Sequence, residues 1–209
     1  MPTNFWIAVT EFGNSTLLLP AALVLALWLL SARAWRLAGV WALSFGTAVL
    51  LVLASKLAFL GWGLGLASID FTGISGHATV STSVCTMSAW LATASRARST
   101  RGLAIGAGLL LGLLVSISRL VLQVHSVSEV VAGFALGAVA AGLPIASAWA
   151  RPPCLAQRWV PLALAGLVLL MPQAVRPAQA HGVVMEMALK ASGRLEVYSR
   201  AMLHGRAAR

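Results

Sequence analysis

Six blocks of apolar residues, at about 15–32, 37–60, 77–95, 102–118, 129–150 and 159–175, partition the sequence. Each approaches the roughly 17–25 residues that a helix needs to cross the hydrocarbon core of a bilayer. Within hydrocarbon every backbone N–H and C=O must be bonded inside the segment itself, which leaves the helix as the solution for isolated blocks of this length. The expected fold is therefore all-α: a polytopic membrane bundle of about six transmembrane helices over residues 1–175, followed by a C-terminal amphipathic basic tail helix over 176–209. Composition supports the reading. With 59% hydrophobic and 10% charged residues, the chain lacks the quarter or so of charged residues usual in a soluble domain, and it is too apolar to stay disordered. Residues 1–14 hold no Lys or Arg, so no cleavable leader is expected.

Fifteen Lys and Arg against five Asp and Glu give a formal charge of +10. In a chain this apolar, such an excess belongs to loops facing anionic cytoplasmic lipids, and no nucleic-acid partner is expected. Arg33 and Arg36 join the first two blocks, Arg96, Arg98 and Arg101 the third and fourth, and Arg151 and Arg158 the fifth and sixth. These alternate loops are assigned to the cytoplasm. The N-terminus, the loop 61–76 and the turn around 119–128 then fall on the other side, and with them Lys56, Asp70, His77, Arg119, His125 and Glu129. The tail is expected on that side too. In it Val184, Met187, Ala191, Leu195, Tyr198 and Met202 recur at helical spacing, with Glu186/Lys190 and Glu196/Arg200 as i,i+4 pairs. His181 and His204 read as solvated tail residues, and the tryptophans Trp35, Trp62, Trp149 and Trp159 as interfacial anchors.

Ionisable residues in a membrane domain are costly and tend to mark function or a pairing partner. Two clusters stand out: Ser75-Gly76-His77 at the start of the third block, and Ser118-Arg119 with His125 and Glu129 between the fourth and fifth. A helix starting at Ser75-Gly76 offers unsatisfied amides and the positive end of its dipole to an anion. Arg119 and Lys56 are cations that can close on a phosphate. His125 and Glu129, four residues apart, share one helix face, so the carboxylate can orient the imidazole and stabilise it when cationic. His77 is a second imidazole, able to protonate a leaving oxygen. A nucleophile with its orienter, an acid and several phosphate donors together describe phosphoryl transfer through a histidine intermediate. Asp70 pairs with Lys56 or His77, or caps a turn; both readings stand open. Two cysteines, Cys85 and Cys154, form no disulfide framework, and no Cys or His pair has zinc-ligand spacing.

Ser75-Gly76-His77 and Ser118-Arg119-(x5)-His125-(x3)-Glu129 resemble the second and third signatures of the type 2 phosphatidic acid phosphatase superfamily. The resemblance covers about 55–142. It implies a general acid at His77, a nucleophile at His125 oriented by Glu129, and phosphate binding by Lys56, Ser75, Gly76 and Arg119, with no metal and no cofactor. It also implies an enzyme: an integral membrane phosphatase of a lipid phosphomonoester or diphosphate, of isoprenyl diphosphate, phosphatidate or phosphatidylglycerol phosphate type. The location implied is a plasma membrane, as in a bacterial inner membrane, with the site facing the periplasm. Partners are then the lipid phosphate substrate and the bilayer. Gly102/Gly106, Gly108/Gly112 and Gly133/Gly137 suggest close helix packing, and secondarily a homodimer. Four positions depart from the pattern: Gly63-Leu64 stand where the first signature has Arg-Pro after Lys56, Ile74 replaces a proline, and Glu129 replaces an aspartate. Two alternatives accompany the hydrolase. One is a lipid phosphotransferase using the same histidine; the other is a non-catalytic phospholipid-binding or transport protein that kept the fold.

Overall fold

The computed structural model describes residues 3–154 and 177–207. Helix α1, Thr3–Glu11, passes through a turn at residues 12–13 into α2, Ser15–Ser31. Asn14 makes the turn possible by capping α2: its Oδ1 accepts from the Thr16 amide at 3.1 Å and the Thr16 hydroxyl at 2.9 Å. Helix α3, Trp35–Trp62, runs for 28 residues, or roughly 42 Å at 1.5 Å per residue. Its end is set by Gly63, in the left-handed conformation at φ 69°, with the Gly63 amide on the Phe59 carbonyl and Leu64 on Ala58. A loop with one short 3₁₀ turn, Ala67–Ile69, leads to α4, Gly76–Ala92. Helices α5, Arg98–Val121, and α6, Val127–Ala148, complete the bundle, and the tail forms α7, Pro177–Ser192, and α8, Arg200–Ala207.

Among the described residues, four segments are long and apolar enough to cross a membrane: Asn4–Ser31, Trp35–Trp62, Arg98–Val121 and Val127–Ala148. They correspond to the first, second, fourth and fifth apolar blocks. Of the about six spans expected, these four are seen. The third block, α4, has 17 residues and is the centre of the bundle, packed against α2, α3, α5 and α6. Because protein surrounds it, its surface need not be apolar, and Thr79, Ser81, Thr82, Ser83 and Thr86 are all buried on it. Several satisfy themselves within the helix, as when the Ser81 hydroxyl donates to the His77 carbonyl at 2.6 Å. The sixth block, 159–175, lies outside the described residues.

The other helices turn large apolar side chains outward, among them Leu23, Leu43, Leu103 and Val131. That inversion suits a lipid environment, where leucine faces the solvent without penalty. Trp35 and Trp62, at the two ends of α3, are both exposed, as interfacial anchors should be. Inside, Leu25, Leu29, Trp41, Met87 and Trp90 form the main core, with the Trp41 indole donating to the Ala22 carbonyl at 3.1 Å.

Glycine sets how closely α4 is approached. A Cβ on Gly112 would lie 2.5 Å from Thr82 Oγ1, one on Gly133 would lie 2.6 Å from the Ser75 carbonyl oxygen, and one on Gly137 would strike the Thr79 carbonyl oxygen. These small positions therefore serve contact within the chain, and the Gly108/Gly112 and Gly133/Gly137 pairs lend nothing to a homodimer. Gly102 and Gly106 face open space.

The two ends of the bundle differ in character. At one, the Arg101 guanidinium donates to the Trp149 carbonyl at 2.9 Å and lies 4.7 Å above the Trp149 ring, joining the start of α5 to the end of α6. At the other, the α1–α2 turn, the loop after α3, the α5–α6 turn and the tail meet.

The single amphipathic tail helix is also corrected. Gly193, at φ 67°, stops α7, and α8 starts only at Arg200. Glu186 and Lys190 do pair, at 2.7 Å. The other expected pair does not form, because Arg200 turns inward to carboxylates of the bundle, while Leu195 between the two helices is almost wholly exposed.

Candidate active site

The site is assembled from four pieces of chain that the topology delivers to one end. Helix α6 begins with a capping box: the Ser126 hydroxyl accepts from the Glu129 amide, and a Glu129 carboxylate oxygen accepts from the Ser126 amide at 3.2 Å. This cap fixes Glu129 on the first turn, facing inward, with its side chain fully buried. His125, just before the cap, lies with Nδ1 2.6 Å from Glu129 Oε2. A carboxylate only accepts, so Nδ1–H donates and Nε2 is the nitrogen left to act. The other carboxylate oxygen, Oε1, accepts from the Thr72 amide at 2.8 Å and from the Thr72 hydroxyl.

The loop before α4 is tied to the same helix. The Ser75 amide donates to the Glu129 carbonyl at 3.1 Å, and the Ile74 amide donates to the Ser55 hydroxyl at 3.0 Å, beside Lys56 on α3. Gly73, at φ 144°, packs on Lys56, where a Cβ would come within 3.3 Å of Lys56 Cγ. These bonds bring Ser75-Gly76-His77, Lys56 and Glu129 together although they come from three helices. Ser75 is the N-cap residue of α4 and makes no side-chain cap bond, so its hydroxyl does not cover the first-turn amides. That hydroxyl is buried and has no partner among the described residues.

Arg119 closes the group from α5. One guanidinium nitrogen donates to the Thr10 hydroxyl at 2.8 Å, and Nε is buried with no partner among the described residues. Lys56, Arg119 and His125 all lie near enough to His77 to act on its charge. His77 and Lys56 make no side-chain hydrogen bond or ion pair among the described residues. Burial pushes His125 below the usual histidine range; the bond to Glu129 opposes that shift and Lys56 and Arg119 add to it. Its side chain is 15% exposed, so the neutral imidazole is the favoured form and the ring is still reachable.

Every residue singled out from the sequence is thus in this cluster except Asp70, whose expected partners are corrected. Asp70 is held in the left-handed region at φ 52° at the end of the 3₁₀ turn. It pairs with Arg200 and with His204, whose Nε2 lies 2.8 Å from Asp70 Oδ1, rather than with Lys56 or His77. His204 is therefore engaged, not merely solvated. Three contributors had not been singled out: Thr10, Thr72 and Arg200. Thr10 and Thr72 carry no spacing signal. Arg200 had only its expected i,i+4 partner Glu196, a spacing that points away from the site.

Such an arrangement can hold a tetrahedral oxyanion between Lys56, Arg119, the Ser75 hydroxyl and the start of α4, with two imidazoles at its edges. Among the described residues, no group of three or more His, Cys, Asp and Glu side chains is clustered as a metal centre.

Comparison with known proteins points the same way. A family described as the PAP2 superfamily matches residues 64–153, which include both histidines, Arg119 and Glu129. The chain is also 43% identical over 139 residues to a Klebsiella pneumoniae protein described as an uncharacterized 22.5 kDa protein in the cps region. The alignment spans 66% of this chain and 66% of that relative, a little under two thirds of its length. No solved structure matches the chain.

Proposed function

Because the chain belongs to the PAP2 superfamily through the domain at 64–153, we propose that it is an integral membrane lipid phosphatase working through a phosphohistidine. The observation that carries the reading is the 2.6 Å bond between His125 Nδ1 and the buried Glu129 carboxylate, in a cluster that also holds His77, Arg119 and Lys56.

In the mechanism, a lipid phosphate enters sideways from the bilayer. Its oxygens take hydrogen bonds from Arg119, Lys56, the Ser75 hydroxyl and the first amides of α4, including that of Gly76. His125 Nε2 attacks phosphorus as the P–O bond to the lipid breaks. Glu129 holds the Nδ1 proton and stabilises the ring as it becomes cationic. His77, carrying a second ring proton once the negative charge of the bound phosphate offsets Lys56 and Arg119, gives that proton to the departing oxygen, which is the lipid's in a monoester and a phosphate's in a diphosphate. Water then attacks the phosphohistidine, losing its proton back to His77, and inorganic phosphate leaves with His125 restored. The isoprenyl diphosphate, phosphatidate and phosphatidylglycerol phosphate types all meet these requirements. The site faces away from the cytoplasm in this reading, because the arginine-rich loops gather at the far end of the bundle.

The test is phosphate release from a panel of lipid phosphates by purified protein, with and without chelator. Wild type is expected to release phosphate in either condition and His125→Ala to lose at least about 10³-fold. Undiminished release by that variant would remove the nucleophile from the scheme.

A further inference from the structure

The first-signature arginine has no counterpart after Lys56, yet a different arginine reaches the site from a sequence separation of 71 residues. Arg200, the first residue of α8, donates from Nη2 to Glu129 Oε1 at 2.8 Å and to the Thr72 hydroxyl at 3.3 Å, while Nη1 pairs with Asp70. Both terminal nitrogens are directed at carboxylates, so Arg200 is not a substitute phosphate ligand. Resting on the phosphatase reading above, we propose that Arg200 is a positioning residue for the His125–Glu129 pair. It clamps the far oxygen of the carboxylate so that the near oxygen stays on the imidazole, and it makes the tail a working part of the site.

Geometry and charge support this role. Glu129 receives donors on both oxygens: His125 and the Ser126 amide on Oε2, Thr72 and Arg200 on Oε1. Among them only Arg200 brings a permanent positive charge. A fully buried carboxylate needs such a counter-charge, since a single imidazole that must shuttle between neutral and cationic forms cannot supply it throughout a cycle. The charge also acts on His125 through the shared carboxylate, partly neutralising Glu129 and making protonation of the ring less favourable. Lys56 from α3 and Arg119 from α5 act on the same ring; His77 on α4 is a further titratable group of the site, and Asp70 with His204 lies on the far side of Arg200.

The tail is anchored independently of this contact. The Tyr198 amide donates to the Leu60 carbonyl at 2.9 Å, Leu203 is buried with Phe59 and Leu60, and Ala188 packs fully buried against the same end of α3 near Gly61. Removing the guanidinium therefore leaves α7 and α8 docked, and its electrostatic effect can be measured alone.

The experiment is an NMR titration of full-length protein with ¹⁵N-labelled histidine in detergent, with His125 identified by the signal lost in His125→Gln. The titration midpoint of His125 is expected to rise by about one pH unit in Arg200→Met and to return towards wild type in Arg200→Lys. Phosphate release by Arg200→Met is expected to fall about tenfold. Leu203→Asp, which expels the tail, should reproduce the shift because Arg200 leaves with it. An unchanged midpoint in Arg200→Met overturns the proposal, as does a shift in Leu203→Asp without one in Arg200→Met, which would assign the effect to packing. The titration needs no turnover. A shifted midpoint in a protein that releases no phosphate from any lipid phosphate would refute the phosphatase reading and keep Arg200's role; normal release with no shift would do the reverse.

Discussion

Glu129 joins folding and proposed chemistry in one side chain. It caps α6 through the Ser126 amide, orders the loop through Thr72 and orients His125. Glu129→Gln keeps the shape but loses the charge and turns an acceptor oxygen into a donor facing other donors. Removing one member of a buried charge pair costs about 3–5 kcal/mol, so thermal unfolding of this variant in detergent is expected to show a large loss of stability. Activity per folded molecule should fall about 10²-fold or more, as when a general acid–base pair is disabled. His125 sets the acid side of the pH profile. Its pKa is lowered chiefly by burial, so the unfolded chain takes up the proton first as pH drops through about 6.5. The group's contribution to stability is thus whole above that pH and is lost on acidification towards the folded value. The acidic limb of kcat/KM, measured against pH, should correspondingly lie below about 6.5.

Among elements, α4 is the one on which the site and the packing both depend. Its N-terminus carries Ser75-Gly76-His77, and the glycines of α5 and α6 press against its length. Gly137→Val, which drives a branched side chain into the Thr79 carbonyl, should cost about 1–3 kcal/mol or more, read as a lowered unfolding midpoint. Gly106→Ala, facing open space within α5, should instead be neutral or stabilising by up to about 1 kcal/mol. The sequence made α2, α3, α5 and α6 legible because lipid-facing helices must be apolar over a fixed length. Helix α4 was legible in position but not in character, since burial by protein tolerates the threonines and serines that burial by lipid discourages. The tail misled for a local reason: a helical spacing of apolar residues persists across Gly193, although the backbone there takes a left-handed turn that ends the helix.

For the molecule as a whole, residue spacing was enough to gather His77, Arg119, His125 and Glu129, because each lies at the end of a helix whose direction the alternation of loops dictates. Contacts that depend on loop path, such as Thr72, on how α1 packs beside α5, such as Thr10, or on a tail returning from far along the chain, such as Arg200, leave no periodic trace. The proposed orientation has a direct check. Cys154 is an exposed free cysteine at the arginine-rich end; in a Cys85→Ala background an impermeant maleimide should label it in inverted membrane vesicles and spare it in intact cells, whereas labelling of intact cells would turn the site to the cytoplasm. The chemistry itself is decided by trapping the intermediate with a lipid phosphate carrying ³²P in the phosphoryl group to be transferred. Rapid quenching at alkaline pH should leave acid-labile label on wild-type protein, mapped to His125 and absent from His125→Ala. Turnover by wild type with no label on any histidine, or label undiminished in His125→Ala, would contradict a nucleophilic role for that imidazole.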